Sequence, residues 1–139
     1  MAGFLKRLFP AGPRHEFTDD QLGLFLSEHR GVWLSEMPFQ GHQIQILLYG
    51  TKHQPNIERL ALARKVVPEL AARVNQALIF AVAQRPELGP DRLKFAGLNL
   101  CYEKIPDGFL LDFIEIGDTS RNCWQVHFEA GEPVCLEYT

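Results

Sequence analysis

Between residues 56 and 84 the apolar residues recur at helical spacing, and on both sides of that stretch they recur at every second position. No single motif limits the possible architectures as tightly as this switch of period. Ile57, Leu60, Ala63, Val67, Leu70, Val74, Ala77, Leu78 and Ala81 fall on one stripe of a helix. Asn56 stands where an N-cap is needed, and Arg85-Pro86 followed by Gly89-Pro90 stops the run. Pro68 lies inside it; with no N–H to donate and a ring that clashes with the carbonyl four residues earlier, it bends the helix or divides it into two.

Ahead of the helix, VWLSEMPF places Trp33, Ser35, Met37 and Phe39 on one face, and HQIQILLY does the same for Ile44, Ile46 and Leu48. With Gln40-Gly41 between them the two runs predict a hairpin. Leu22, Leu24 and Leu26 alternate and suggest an earlier strand, although Thr18-Asp19-Asp20-Gln21 has equally the form of a helix N-terminus with a capping box. After the helix, LKFAGLNLCYE, FLLDFIEI, CWQVHFE and VCLEY are separated by turn signals at Pro106-Asp107-Gly108, Gly117-Asp118 and Ala130-Gly131-Glu132. The order βββ-α-ββββ with short connections predicts an α+β fold: an antiparallel sheet of six or seven strands with the long helix on one face. In FLLDFIEI only Asp112 and Glu115 interrupt the apolar run, which predicts an interior strand or one covered on both faces.

Residues 1–16 read as a short helix, with Phe4, Leu5, Leu8 and Phe9 on one side, ended by Pro10 and followed by the linker AGPR; residues 17–139 read as one α+β domain. The chain has 139 residues, and a domain typically holds roughly 100–200. Apolar runs are broken within a few residues by Gln, Arg or Lys, so neither a membrane span nor a secretory signal is expected and a cytoplasmic location is. Cys101, Cys123 and Cys135 lack CxxC spacing and are odd in number, which speaks against a disulfide framework or a zinc ribbon. No metal or cofactor is expected.

The closing hairpin, RNCWQVHFEAGEPVCLEYT, concentrates the chemistry-bearing side chains. Making its apolar faces agree requires a three-residue loop, Ala130-Gly131-Glu132, which sets Phe128 opposite Val134, Val126 opposite Leu136 and Trp124 opposite Tyr138. The same register makes His127 the neighbour of Cys135 and Gln125 that of Glu137. A Cys–His pair is the minimum for a thiolate nucleophile, yet no orienting Asn or Asp and no oxyanion loop accompany it, so no catalytic residue is assigned. Asp112 and Glu115 point to opposite faces of one strand and do not form an acid/base pair. Trp33 and Trp124 lie on apolar faces and read as core.

Charge is distributed unevenly. Residues 101–139 contain eight acids against two bases, a net −6, which disfavours nucleic acid and suits a basic protein partner. The expected partner surface is the outer face of the C-terminal strands, among Glu103, Glu115, Glu129, Glu132 and Glu137, with Asp107 and Asp118 at the turns. A homodimer is compatible with the same pattern.

In its tryptophan strand GVWLSEMPFQG, the following HQIQILLYG, the single long helix and the closing DTSRNCWQVHFEAGEPVCLEY, the chain resembles a group of small uncharacterised bacterial α+β domains, some encoded beside polymorphic toxins and regarded as immunity-type proteins. The resemblance spans roughly residues 17–138 and rests on strands and turns. It implies a non-enzymatic domain that neutralises a basic toxin partner, and it supplies no catalytic residues. The alternative is a small-ligand enzyme or ligand-binding domain with a pocket on the sheet, where His127, Cys135 or Asp112 would stand.

Overall fold

The computed structural model describes residues 15–27, 31–101 and 105–139. The expected N-terminal helix therefore lies outside the described residues. One sheet of eight strands holds its strands in chain order: β1 (His15–Asp19), β2 (Gly23–Ser27), β3 (Val32–Phe39), β4 (His42–Tyr49), β5 (Leu93–Leu100), β6 (Phe109–Glu115), β7 (Trp124–Glu129) and β8 (Glu132–Tyr138). Helices α1 (Ile57–Val66) and α2 (Leu70–Gln84), joined by a single 3-10 turn at Val67–Glu69, lie between β4 and β5. The fold is α+β with one long helical segment, as the period predicts. The sheet has one strand more than the upper expectation, because β1 begins in what reads as linker.

Every neighbouring pair of strands is antiparallel except β4 and β5, which are parallel. The wholly antiparallel sheet expected from the short connections is thus corrected at its centre. A helix laid across one face carries the chain back to the end where β4 began, so the next strand must run the same way.

Asn56 caps α1, its side-chain oxygen accepting from the Arg59 N–H at 3.0 Å. Pro68 sits at the start of the 3-10 turn, where its missing donor costs least. Leu60, Ala63, Val66, Leu70, Val74, Ala77 and Ala81 are buried against the sheet, whose contributions include Phe25, Trp33, Ile46, Leu48, Leu98, Leu111, Phe113, Val126 and Phe128. By length and composition the 28-residue stretch Ile57–Gln84 would pass for a membrane span, although the sequence reading excluded one; its buried side packs on the sheet. Ile57, placed on the buried stripe by its spacing, is 70 % exposed at the first turn.

Three arginines fasten the helical layer to the turns of the sheet. Arg64 pairs with Asp19, whose other oxygen accepts the Gln21 and Leu22 N–H groups at 3.0 and 2.9 Å. The possible helix start at Thr18–Gln21 is therefore a tight β1–β2 turn, with the aspartate holding it closed. Arg59 is buried in α1 and donates to the carbonyls of Pro106 and Gly108 in the β5–β6 connection. Arg73 of α2 donates to the Gly131 carbonyl at 2.8 Å, in the turn of the last hairpin.

That last hairpin keeps the predicted register along most of its length: Trp124 faces Tyr138, Gln125 faces Glu137, Val126 faces Leu136 and His127 faces Cys135. The turn differs. Ala130 and Gly131 have φ of 50° and 78°, a two-residue turn of the kind that matches strand twist, and the pairing shifts by one residue beyond His127 so that Phe128 faces Pro133. A bulge thus supplies the residue that a longer loop was expected to supply, and Val134 is 47 % exposed instead of opposite Phe128.

Candidate functional site

Among the described residues the helices cover one face of the sheet, and pairing identifies the side chains of the other. Glu36 is opposite Gln45, Gln45 opposite Gly97, Gly97 opposite Asp112, Asp112 opposite Gln125 and Gln125 opposite Glu137. Residues opposite one another share a face, so a row of carboxyl and carboxamide groups crosses six strands, from β3 to β8, with a gap at the glycine. On one side of this row Leu26 and Leu34 are buried, with Leu24 and Leu47 packed against them. On the other side a groove of about 500 Å³ opens, lined among others by Glu36, Gln45, Ala96, Asp112, Ile114 and Cys123.

Gly97 lets β4 and β5 approach closely beside this groove. A Cβ there would stand 2.9 Å from the Gln45 carbonyl oxygen, so no larger residue fits without moving the parallel β4–β5 pair. The register also shifts between Phe95 and Gly97, and the extra residue, Ala96, lines the groove.

The two carboxyls of the groove differ in their surroundings. Asp112 accepts from Gln125 Nε2 at 2.9 Å, and burial nevertheless holds its pKa above the ordinary carboxylate value, against the hydrogen bonds of Gln125 and Asn99. Glu36 is 6 % exposed, and its Oε1 is buried with no hydrogen-bond partner among the described residues. Burial raises its pKa too. Cys123 beside them is pushed up by burial and by the Asp112 charge, which keeps it a thiol at neutral pH. Lys94 and Arg121 stand on the exposed rim.

The residues expected to form an acidic partner surface are only partly brought together. Glu129 and Glu137 lie on the open face of β7 and β8. Glu115 is opposite Leu93, a core residue, and so belongs to the helix-covered side at the end of β6. Glu132 is paired with Glu129 at the end of the hairpin, and its carboxylate accepts from Gln76 of α2 at 3.5 Å. Asp118 accepts from Tyr138 Oη at 2.8 Å and from the Ser120 N–H, contacts that lower its pKa, with the Ser120 bonds the leading cause. Asp107 sits in the β5–β6 turn, and Glu103 lies outside the described residues.

His127 and Cys135 are cross-strand neighbours, and a carboxylate also approaches the imidazole, with Nε2 at 3.4 Å from Glu137 Oε2. Cys135 is exposed. Among the described residues no group of three or more His, Cys, Asp or Glu side chains converges to hold a metal ion. Trp33 and Trp124 are core, as expected, with Trp33 Nε1 donating to the Thr51 carbonyl at 2.9 Å.

Sequence reasoning missed Glu36, Gln45 and Gly97 as parts of one site. The signals were present: Glu36 and Gln45 occupy the polar positions of VWLSEMPF and HQIQILLY, and a glycine inside LKFAGLNL marks a bulge or a close approach. What joined them was the pairing of β4 with β5 across the helix. Comparison of the chain with protein-family models, curated proteins and solved structures finds no match.

Proposed function

We propose that the chain is a non-enzymatic, cytoplasmic binding protein of the immunity type that engages a basic protein partner through the open face of its sheet. The observation that carries this reading is the row Glu36, Asp112 and Glu137 with its intervening carboxamides, on a face that no helix among the described residues covers, with Glu129 beside it. A surface of one sign steers an oppositely charged partner and favours its register over others. The net −6 of residues 101–139 adds to that field.

Reversing Glu129 and Glu137 to Lys together tests it. Both are surface groups, so thermal stability is expected to stay nearly unchanged, while association with a partner captured from the native cell slows and loses its salt dependence. Unchanged association across ionic strengths would remove this face as the interface. The groove of about 500 Å³ favours a second reading, a domain that binds a small ligand on the sheet. A bound small molecule copurifying with the native protein, with no protein partner, would favour it.

A further inference from the structure

We propose that the groove on the open face is a binding site for a single guanidinium or ammonium group carried on an aliphatic stem, with the charge seated against Glu36. Glu36, which lines the groove, has a buried carboxylate oxygen that the described residues leave without a donor, in a side chain 6 % exposed. A buried acceptor in this condition costs free energy until a donor arrives, and a cationic donor returns the most. A hydroxyl or amide would satisfy the bond and leave the charge.

The walls select the rest of the ligand. Ala96 and Ile114 are apolar and Ile114 is 45 % exposed, so a stem of methylenes lies against carbon. Asp112 stands three strands from Glu36, about 14 Å between backbones at the usual strand spacing, and its carboxylate is already engaged by Gln125. It adds negative potential without competing for the donor. Lys94 and Arg121 on the rim disfavour a ligand with several positive charges and leave room for one. Burial raises the pKa of both carboxyls, the condition that a cation in the groove would relieve.

Two sources carry this chemistry: an arginine or lysine side chain of a protein, or a free alkyl cation. The first rests on the reading of the open face as a protein interface; the groove itself does not. Calorimetric titration of the full chain with n-butylguanidinium and n-butylammonium, against butyrate, tests the site. Saturable binding of either cation and none of butyrate is expected. Glu36→Gln is expected to weaken the cation by about tenfold, the loss of one charge-assisted bond. Ala96→Leu, which fills the groove and leaves Glu36 in place, is expected to abolish binding, and serves as the test should Glu36→Gln fail to fold.

Equal cation affinity in folded Glu36→Gln, or no saturable cation binding to the wild type, overturns the proposal. A capped pentapeptide with arginine between glycines separates the sources: binding at least as tight as butylguanidinium assigns a protein side chain, and exclusion of the peptide assigns a free cation. Cation binding that survives while the Glu129 and Glu137 reversal leaves partner association unaltered would retain the groove and discard the interface.

Discussion

Asp19 and Glu36 are both buried acids, and their surroundings push them in opposite directions. Hydrogen bonding to Arg64 is the main cause that lowers Asp19 below its ordinary value of 3.8, so its stabilisation is complete above that pH and fades as the pH falls through the lowered pKa. Asp19→Asn keeps an acceptor but loses the ion pair, and a cost of about 1–2 kcal/mol at pH 7 is expected, allowing for the partial exposure of Arg64. Glu36 lies above its ordinary value of 4.5 through burial, so the cost of ionising it is absent below that pH and complete above the raised pKa. Glu36→Gln is therefore expected to raise the melting temperature at pH 7. Melting curves from pH 3 to pH 7 check both: each difference from wild type shrinks towards low pH, with opposite signs. The thiols give a second comparison. Burial and the Asp112 charge raise Cys123, whereas Cys135 is exposed, so alkylation of the folded protein followed by mass spectrometry is expected to label Cys135 well before Cys123.

At the scale of the element, the last hairpin shows how a sheet accommodates a turn. A two-residue turn would invert every side chain beyond it relative to the apolar pattern, and the bulge after His127 cancels the inversion. Trp124, 8 % exposed, packs on Tyr138 with ring centroids 4.7 Å apart, and the Arg85 guanidinium lies 5.4 Å from its ring centroid. Trp124→Ala is expected to cost about 3–5 kcal/mol, whereas Val134→Ala, at the bulge, should stay within about 0.5 kcal/mol of wild type. Urea denaturation midpoints decide; a large loss at Val134 would restore the three-residue loop. The β3–β4 turn repeats the same economy without a bulge, since Gln40 and Gly41 have φ of 46° and 87° and Phe39 pairs directly with His42.

At the scale of the whole fold, the described residues form a two-layer structure whose halves, β1–β4 and β5–β8, meet along one parallel pair and are spanned by the helices. Arg59, Arg64 and Arg73 connect that span to turns at three places in the sheet. Of these, Arg59 is the most enclosed, with its guanidinium 5.9 Å from the centre of the Tyr49 ring as well as bonded to the β5–β6 connection. Arg59→Ala leaves two loop carbonyls without their donor, and a loss of about 2–3 kcal/mol in chemical denaturation is expected. Among the described residues the helical layer covers one face and the groove lies on the other, so the site depends on that layering as much as on any residue in it.

Local pattern was enough to read the helix, its interruption at Pro68, seven strand cores and most of the final register, because side-chain period and turn residues act within a few residues of themselves. The burial of Trp33 and Trp124 and the opposition of Asp112 to Glu115 follow from the same period of two. Strand β1 was not legible, because Thr18–Gln21 satisfies a helix cap and a turn alike, and the ion-pair partner of the turn's Asp19 is Arg64, 45 residues away. The candidate site escaped for a related reason. Glu36 and Gln45 lie before the helix and Gly97 and Asp112 after it, and nothing within either segment specifies that β4 and β5 are neighbours. That contact forms when the helix buries its apolar stripe on both halves at once, a long-range condition that only the packed core imposes.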